Sequence, residues 1–119
     1  MQLVNLSNHN VLADHVEVAN TFKRRLRGLI GKTCLHDGEA LILIPCSSIH
    51  TCFMNFPIDV LFADQDAMIL QTLENMRPFR FTTVIPRSYM AIELPAGRIA
   101  ATGTETGHRL QLLIKEAAS

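Results

Sequence analysis

Short apolar runs, each closed by turn-forming residues, recur along this chain, and that rhythm constrains its fold more than any other feature. Runs of roughly four to eight residues bounded this way suit strands rather than helices. Residues 2 to 6 and 11 to 19 read as opening strands, with Asn8-His9-Asn10 as the turn between them, because asparagine tolerates left-handed backbone angles. Val16 and Val18 alternate with His15 and Glu17, the period of a half-buried strand. The continuous run Ala40-Leu41-Ile42-Leu43-Ile44-Pro45 lacks alternation and predicts a central strand covered on both faces. A strand opening at Pro57, the turn Asp64-Gln65-Asp66 and the run Met68 to Leu73 predict a hairpin. Residues 77 to 87 read as an irregular, proline-punctuated loop. Tyr89 to Pro95 resumes a strand, with Met90, Ile92 and Leu94 on one face and Glu93 on the other. Ala96 to Thr102 predicts a helical turn or two ended by Gly103, and Leu110, Leu112 and Ile114 a closing strand.

One α-helix is expected near residues 22–30. Thr21 is a natural N-cap, and Phe22, Leu26, Leu29 and Ile30 fall at helical spacing, which predicts a core-facing stripe. Gly28 weakens the interior of this helix and Gly31 is a natural stop.

The 119 residues fit one domain, 1–119, and a 48% hydrophobic content supplies a core without metal or disulfides. Eleven basic residues balance eleven acidic ones, so no global field draws in nucleic acid or membrane, and nucleic-acid binding is not expected. Three cysteines, Cys34, Cys46 and Cys52, are too few and too irregular for a disulfide framework. The opening MQLVNLSNHNVLADH lacks the basic and long apolar regions of an export signal, and no apolar run approaches the ~20 residues of a membrane helix. These features predict a cytoplasmic protein with no membrane span.

The most distinctive chemistry lies in Ile49 to Phe62, where Asp59 interrupts an apolar strand. Several segments, taken in order, are similar to one family. They are Arg24-x-x-x-Gly28-Leu29, Gly38-Glu39-Ala40-Leu41, His50-Thr51 through Met54, Pro57-Ile58-Asp59-Val60-Leu61-Phe62, Asn75 with Pro78, and Leu94-Pro95-Ala96-Gly97. From about Val18 to about Leu112 the chain resembles the domain of unknown function 192 family, also catalogued as UPF 0127. The resemblance implies a mainly β fold, a compact β-sandwich or barrel of jelly-roll character with one short helix, and no known enzyme activity. Three positions depart from the family pattern: Cys52 stands where relatives often carry an aromatic, Ala67 where a turn glycine is usual, and His108 where an acid commonly follows the glycine.

A carboxylate rarely sits in an apolar strand without company. Asp59 is expected either to pair with Arg24 or Arg25 from the helix, near Glu93, or to cap backbone amides by the Phe56-Pro57 bend. The run Lys23-Arg24-Arg25-x-Arg27 places cations in the first helical turn, against the macrodipole, and salt bridges to the strand acids are the expected remedy. His50 and Cys52 share a strand face, and Cys34-x-His36 mirrors their spacing, yet neither matches a recognised zinc motif, so no metal or cofactor is expected. The aromatics Phe53, Phe56 and Phe62 read as core. The candidate ligand-binding set is Arg24, His50, Met54, Asp59 and Glu93, serving an unidentified small molecule or a protein in a non-enzymatic module. The alternatives are a small enzyme, perhaps a hydrolase, with Asp59 or Glu93 as general base beside His50, and partner recognition at a sheet edge rimmed by the 77 to 87 loop.

Overall fold

Eight strands and two short helices make up the chain in this computed structural model, which describes residues 1–114. A five-stranded sheet, ordered β3-β4-β7-β5-β6, is built from β3 (His15–Ala19), β4 (Glu39–Leu43), β7 (Met90–Pro95), β5 (Ile58–Ala63) and β6 (Ile69–Met76). A three-stranded sheet, ordered β2-β1-β8, combines β2 (Val11–Ala13), β1 (Gln2–Asn5) and β8 (Leu110–Leu113). The architecture is mainly β, with two sheets and a short helix, as the apolar rhythm predicts. Only β3 and β4 pair in parallel among the described strands, and the connection between them carries α1 (Phe22–Arg27). The second helix, α2 (Arg98–Thr102), follows β7 and ends at Gly103.

Side-chain alternation divides the core in two. On one face of the large sheet Ala40, Ile42, Leu61, Ile92 and Leu94 pack against Leu3, Leu12, Ala13 and Leu110 of the small sheet and Ile99 of α2. On the other face Leu41, Leu43, Val60, Phe62 and Ala91 pack under Leu29, Ile49, Met54 and Ile85, which come from α1's connection and the long loops. The first face is covered by a second sheet. The second is covered mostly by irregular chain.

Local chemistry sets the element ends. The chain 11–19 is two strands, not one: at Asp14 it leaves the small sheet for the large one, and the amides of Asp14 and His15 both donate to the Gly38 carbonyl at 2.9 Å. In the β5–β6 hairpin the Asp64 carboxylate accepts from the amides of Asp66 and Met68 at 2.9 and 3.0 Å. Ala67 adopts φ 61° there, a left-handed conformation that favours glycine. Of the residues expected to close the domain, Leu110 is buried, Leu112 is exposed on the edge strand β8, and Ile114 is exposed just beyond its end.

The helix departs most from expectation. Thr21 Oγ1 accepts from the Arg24 amide at 3.2 Å, as an N-cap should. However, α1 ends at Arg27 rather than reaching residue 30, because Gly28, at φ 49°, turns the chain and donates its amide to Arg24 O. Helical spacing therefore does not carry through to Leu29 and Ile30, and the stripe splits. Leu29 tucks into the core, while Phe22 and Leu26 remain 74% and 59% exposed.

Candidate functional site

Strand register separates the two acids that the sequence suggested might meet. Val60, not Asp59, lies opposite Glu93, and Asp59 lies opposite Leu94. Since successive side chains point to opposite sides of a sheet, Asp59 faces the side of α2 and Glu93 the side of α1.

Asp59 is fully buried, and no guanidinium reaches it. Its Oδ1 accepts from the Asn75 amide at 2.8 Å, and its Oδ2 from the amides of Gly97 at 3.1 Å and Ile99 at 2.9 Å. The helix α2 has glycine at its N-cap and no side-chain cap of its own, so a carboxylate from the neighbouring strand satisfies its free amides. The expected ion pair with Arg24 or Arg25 is thus replaced by amide capping, at Asn75 and the 97–99 turn rather than the Phe56-Pro57 bend. These three amide hydrogen bonds compensate the burial of the carboxylate and satisfy backbone donors at the same time.

The helix cations are equally without acids. Among the described residues none of Lys23, Arg24, Arg25 and Arg27 forms an ion pair with a carboxylate, which corrects the expected salt bridges to the strand acids. Arg25 instead donates from Nη1 to the Ile44 carbonyl at 3.1 Å, laying its guanidinium over the chain that follows β4.

Between α1 and this chain lies a cavity of about 310 Å³. Leu29, Leu43 and Met54 form its apolar wall, Phe22 and Leu26 its exposed edge, and Glu93 a buried part of its lining. Glu93 is only 3% exposed, and its Oε2 is a buried side-chain atom with no hydrogen-bond partner among the described residues. Burial in this apolar setting raises its pKa from the ordinary 4.5 to about 8. Cys46 sits in the same lining and donates its thiol to Ser48 O at 3.1 Å. Its pKa is pushed up chiefly by burial; the Ser48 hydrogen bond lowers it, the Glu93 charge raises it and the Arg25 charge lowers it. A thiol held in its protonated form is a poor nucleophile.

Of the five candidates, His50, Met54 and Glu93 line this one cavity. Arg24 lies instead in a separate depression of about 250 Å³, with Glu17, Arg27 and Lys32. Asp59 lies on the opposite face of the sheet. His50 accepts the Cys52 amide at Nδ1 at 3.2 Å, and its ring packs 6.1 Å from that of Phe81, so it borders the cavity as a half-buried rim residue. Cys34 and His36 make their own exposed contact, Sγ to Nε2 3.4 Å, away from that rim. No cluster of three or more histidine, cysteine or acidic side chains able to hold a metal occurs among the described residues.

Sequence reading missed Arg25, Cys46, Phe22 and Leu26 as members of this lining. The helix pair left a signal: Gly28 within the expected helix marked where its stripe would break. Cys46 left none, because Arg25 and Glu93, which share the lining with it, are far from it in sequence.

Comparison with known proteins agrees with this architecture. A crystal structure of a protein of unknown function from Novosphingobium aromaticivorans superposes with a TM-score of 0.81 at 20% identity, over 93% of this chain and 82% of that one. A second, from Sinorhizobium meliloti and described as a candidate transcription regulator, gives 0.76 at 24% identity, over 92% and 89%. A UPF0127 protein of Thermococcus sibiricus is 32% identical over 120 aligned residues, covering 96% of this chain and 76% of the relative. The model of the domain of unknown function 192 family, described as an uncharacterized ACR, matches residues 4–112. The chain belongs to that family, whose biochemical activity is unassigned.

Proposed function

We propose that this protein is a binding module whose site is the cavity between α1 and the large sheet, and that it takes a small molecule with an apolar body. The observation that carries this reading is Glu93: a buried carboxyl with an unpaired oxygen, lining a cavity of about 310 Å³ whose edge is exposed and apolar. A buried polar atom without a partner costs about 1–3 kcal/mol, and a ligand hydrogen bond is a direct way to recover that cost. The volume falls near the lower end of the roughly 300–1,000 Å³ range of small-molecule sites.

An enzymatic role has less support. Asp59 is fully engaged by three amides, and Glu93 and His50 border the same cavity without hydrogen-bonding each other. A nucleic-acid role, which the description of the Sinorhizobium protein would suggest, gains no support from a chain with eleven charges of each sign. A cytoplasmic setting fits the three free thiols, and no helix among the described residues is long and apolar enough to cross a membrane.

The test is a thermal-shift screen of metabolites and divalent metals on the native chain, repeated on His50→Ala, Met54→Ala and Arg24→Ala. Compounds that stabilise the native chain should lose most of that effect in the His50 and Met54 variants and keep it in the Arg24 variant. A screen with no hits, or hits indifferent to both cavity substitutions, would refute the site.

A further inference from the structure

We infer that the ligand of this cavity is an anionic amphiphile, a monocarboxylate whose head lies between Arg25 and Glu93 and whose short apolar chain runs outward past Leu26 and Phe22. The inference rests on the binding reading above and adds the chemical class of what is bound. Its first support is the charge of the lining. Arg25 and Arg27 both contribute to the cavity, and neither has an acidic partner among the described residues.

The second support is the state of Glu93. The side chains beside it on the flanking strands, Leu41 on β4 and Val60 on β5, are apolar. The other titratable or charged groups lining the cavity are Arg25 and Arg27 from α1 and Cys46 and His50 from the chain after β4. With its pKa near 8, Glu93 carries its proton at neutral pH and offers an O–H donor. Two guanidiniums and a neutral acid together favour a ligand that brings a negative charge and accepts hydrogen bonds. An ammonium would meet repulsion and no anion.

The third support is position. Arg25, Cys46 and Glu93 line the same cavity, so a head group beside Cys46 shares that space with both. A carboxylate there would accept from the Glu93 O–H and from the Arg25 guanidinium, a pairing of charge-assisted hydrogen bonds. From that point the lining is apolar through Leu29, Leu43 and Met54, and it continues to the exposed Leu26 and Phe22. These two exposed side chains are left by α1 with no core to join, and a ligand chain would cover them. The limited volume restricts the chain to a short one.

The test is calorimetric titration of the full chain with octanoate, octylammonium and octanol, at about pH 6.5 and about pH 9.5, on either side of the Glu93 transition. Octanoate should bind best at the lower pH and weaken about tenfold or more at the higher, as ionised Glu93 comes to repel it. Glu93→Gln keeps a donor but has no proton to lose, so it should bind octanoate with the tenfold weakening at the higher pH gone. Arg25→Gln should weaken octanoate about tenfold or more and leave octanol unchanged, while Arg25→Lys should recover part of the loss. Circular dichroism checks that each variant is folded. Octylammonium or octanol binding as well as octanoate would overturn the carboxylate assignment and leave the binding reading standing. Failure of all three probes to bind, together with a blank metabolite screen, would sink both.

Discussion

The two faces of the large sheet treat a buried acid in opposite ways. On the α2 side the Asp59 carboxylate accepts three backbone amides, and the surrounding helix is tied down further. Arg98 donates to the carbonyls of Leu12 and Val11 at 2.9 and 2.8 Å, and the side chains of Asn8 and Asn10 both donate to Thr102 O. On the α1 side Glu93 has an oxygen with no partner, and the helix above it leaves Phe22 and Leu26 in solvent. A face closed by a second sheet can pair its polar groups internally, whereas one closed by a short helix and loops leaves space and an unsatisfied group. The difference separates an acid whose carboxylate is satisfied by the fold from one that the proposed ligand would satisfy.

Four substitutions or conditions sharpen that contrast. The largest effect is expected from Asp59→Asn. An amide oxygen replaces one acceptor, but its NH₂ group faces backbone donors, so urea denaturation should show a loss of roughly 3 kcal/mol. A loss below about 1 kcal/mol would mean that the amides find water instead.

Glu93 should show the reverse behaviour through pH. Its carboxyl has an ordinary value of 4.5 and a folded value of about 8, so between them the folded chain holds a proton that the unfolded chain has released. The stability that Glu93 contributes should be greatest below about pH 4.5 and decline as pH rises, at up to about 1.4 kcal/mol per unit, until the loss is complete above about pH 8. In Glu93→Gln that slope should vanish, with the variant overtaking the native chain in stability on the alkaline side. Denaturant midpoints measured across this range decide the matter, and parallel profiles for the two proteins would remove Glu93 as the source.

Smaller effects come next. Ala67→Gly relieves a left-handed residue in the β5–β6 turn, at φ 61°, and should raise stability by about 1 kcal/mol, read as a higher melting temperature. No residue of that turn lines the cavity, so ligand binding should not change. Smallest of all is Phe22→Ser, expected to alter stability by less than about 0.5 kcal/mol because the ring is 74% exposed. The same variant should weaken ligand binding. A stability loss of about 2 kcal/mol would show that the ring packs as a core residue after all.

How far the sequence could be read differs between the same two regions. Most of the strands, the Asp64 turn, the Thr21 cap and the placement of Glu93 on the face away from Met90, Ile92 and Leu94 follow from local pattern, because alternation and turn chemistry act over a few residues. The break of 11–19 into two strands at Asp14 does not. The partners of Asp59 were not legible, since the amides of Asn75, Gly97 and Ile99 reach it only once β5, β6 and α2 are assembled. Of the candidates Arg24, His50, Met54, Asp59 and Glu93, the fold brings His50, Met54 and Glu93 to one cavity and sets Arg24 and Asp59 apart. For the two acids the reason is related, since the register between β5 and β7 decides which acids share a face, and no local signal specifies it. Helical spacing also overreached, because it counts positions without recognising that Gly28 bends the chain away.

By itself, then, the order of amino acids determined the family, the mainly β class and most strand positions, because these depend on periodicity and on motifs that survive in one dimension. Only the tertiary structure decided that Asp59 caps a helix, that Arg25 rather than Arg24 lines the cavity, and that Glu93 Oε2 has no partner there among the described residues. Burial and hydrogen-bond satisfaction are properties of neighbours in space, and those neighbours are set by strand register and by the path of the loops.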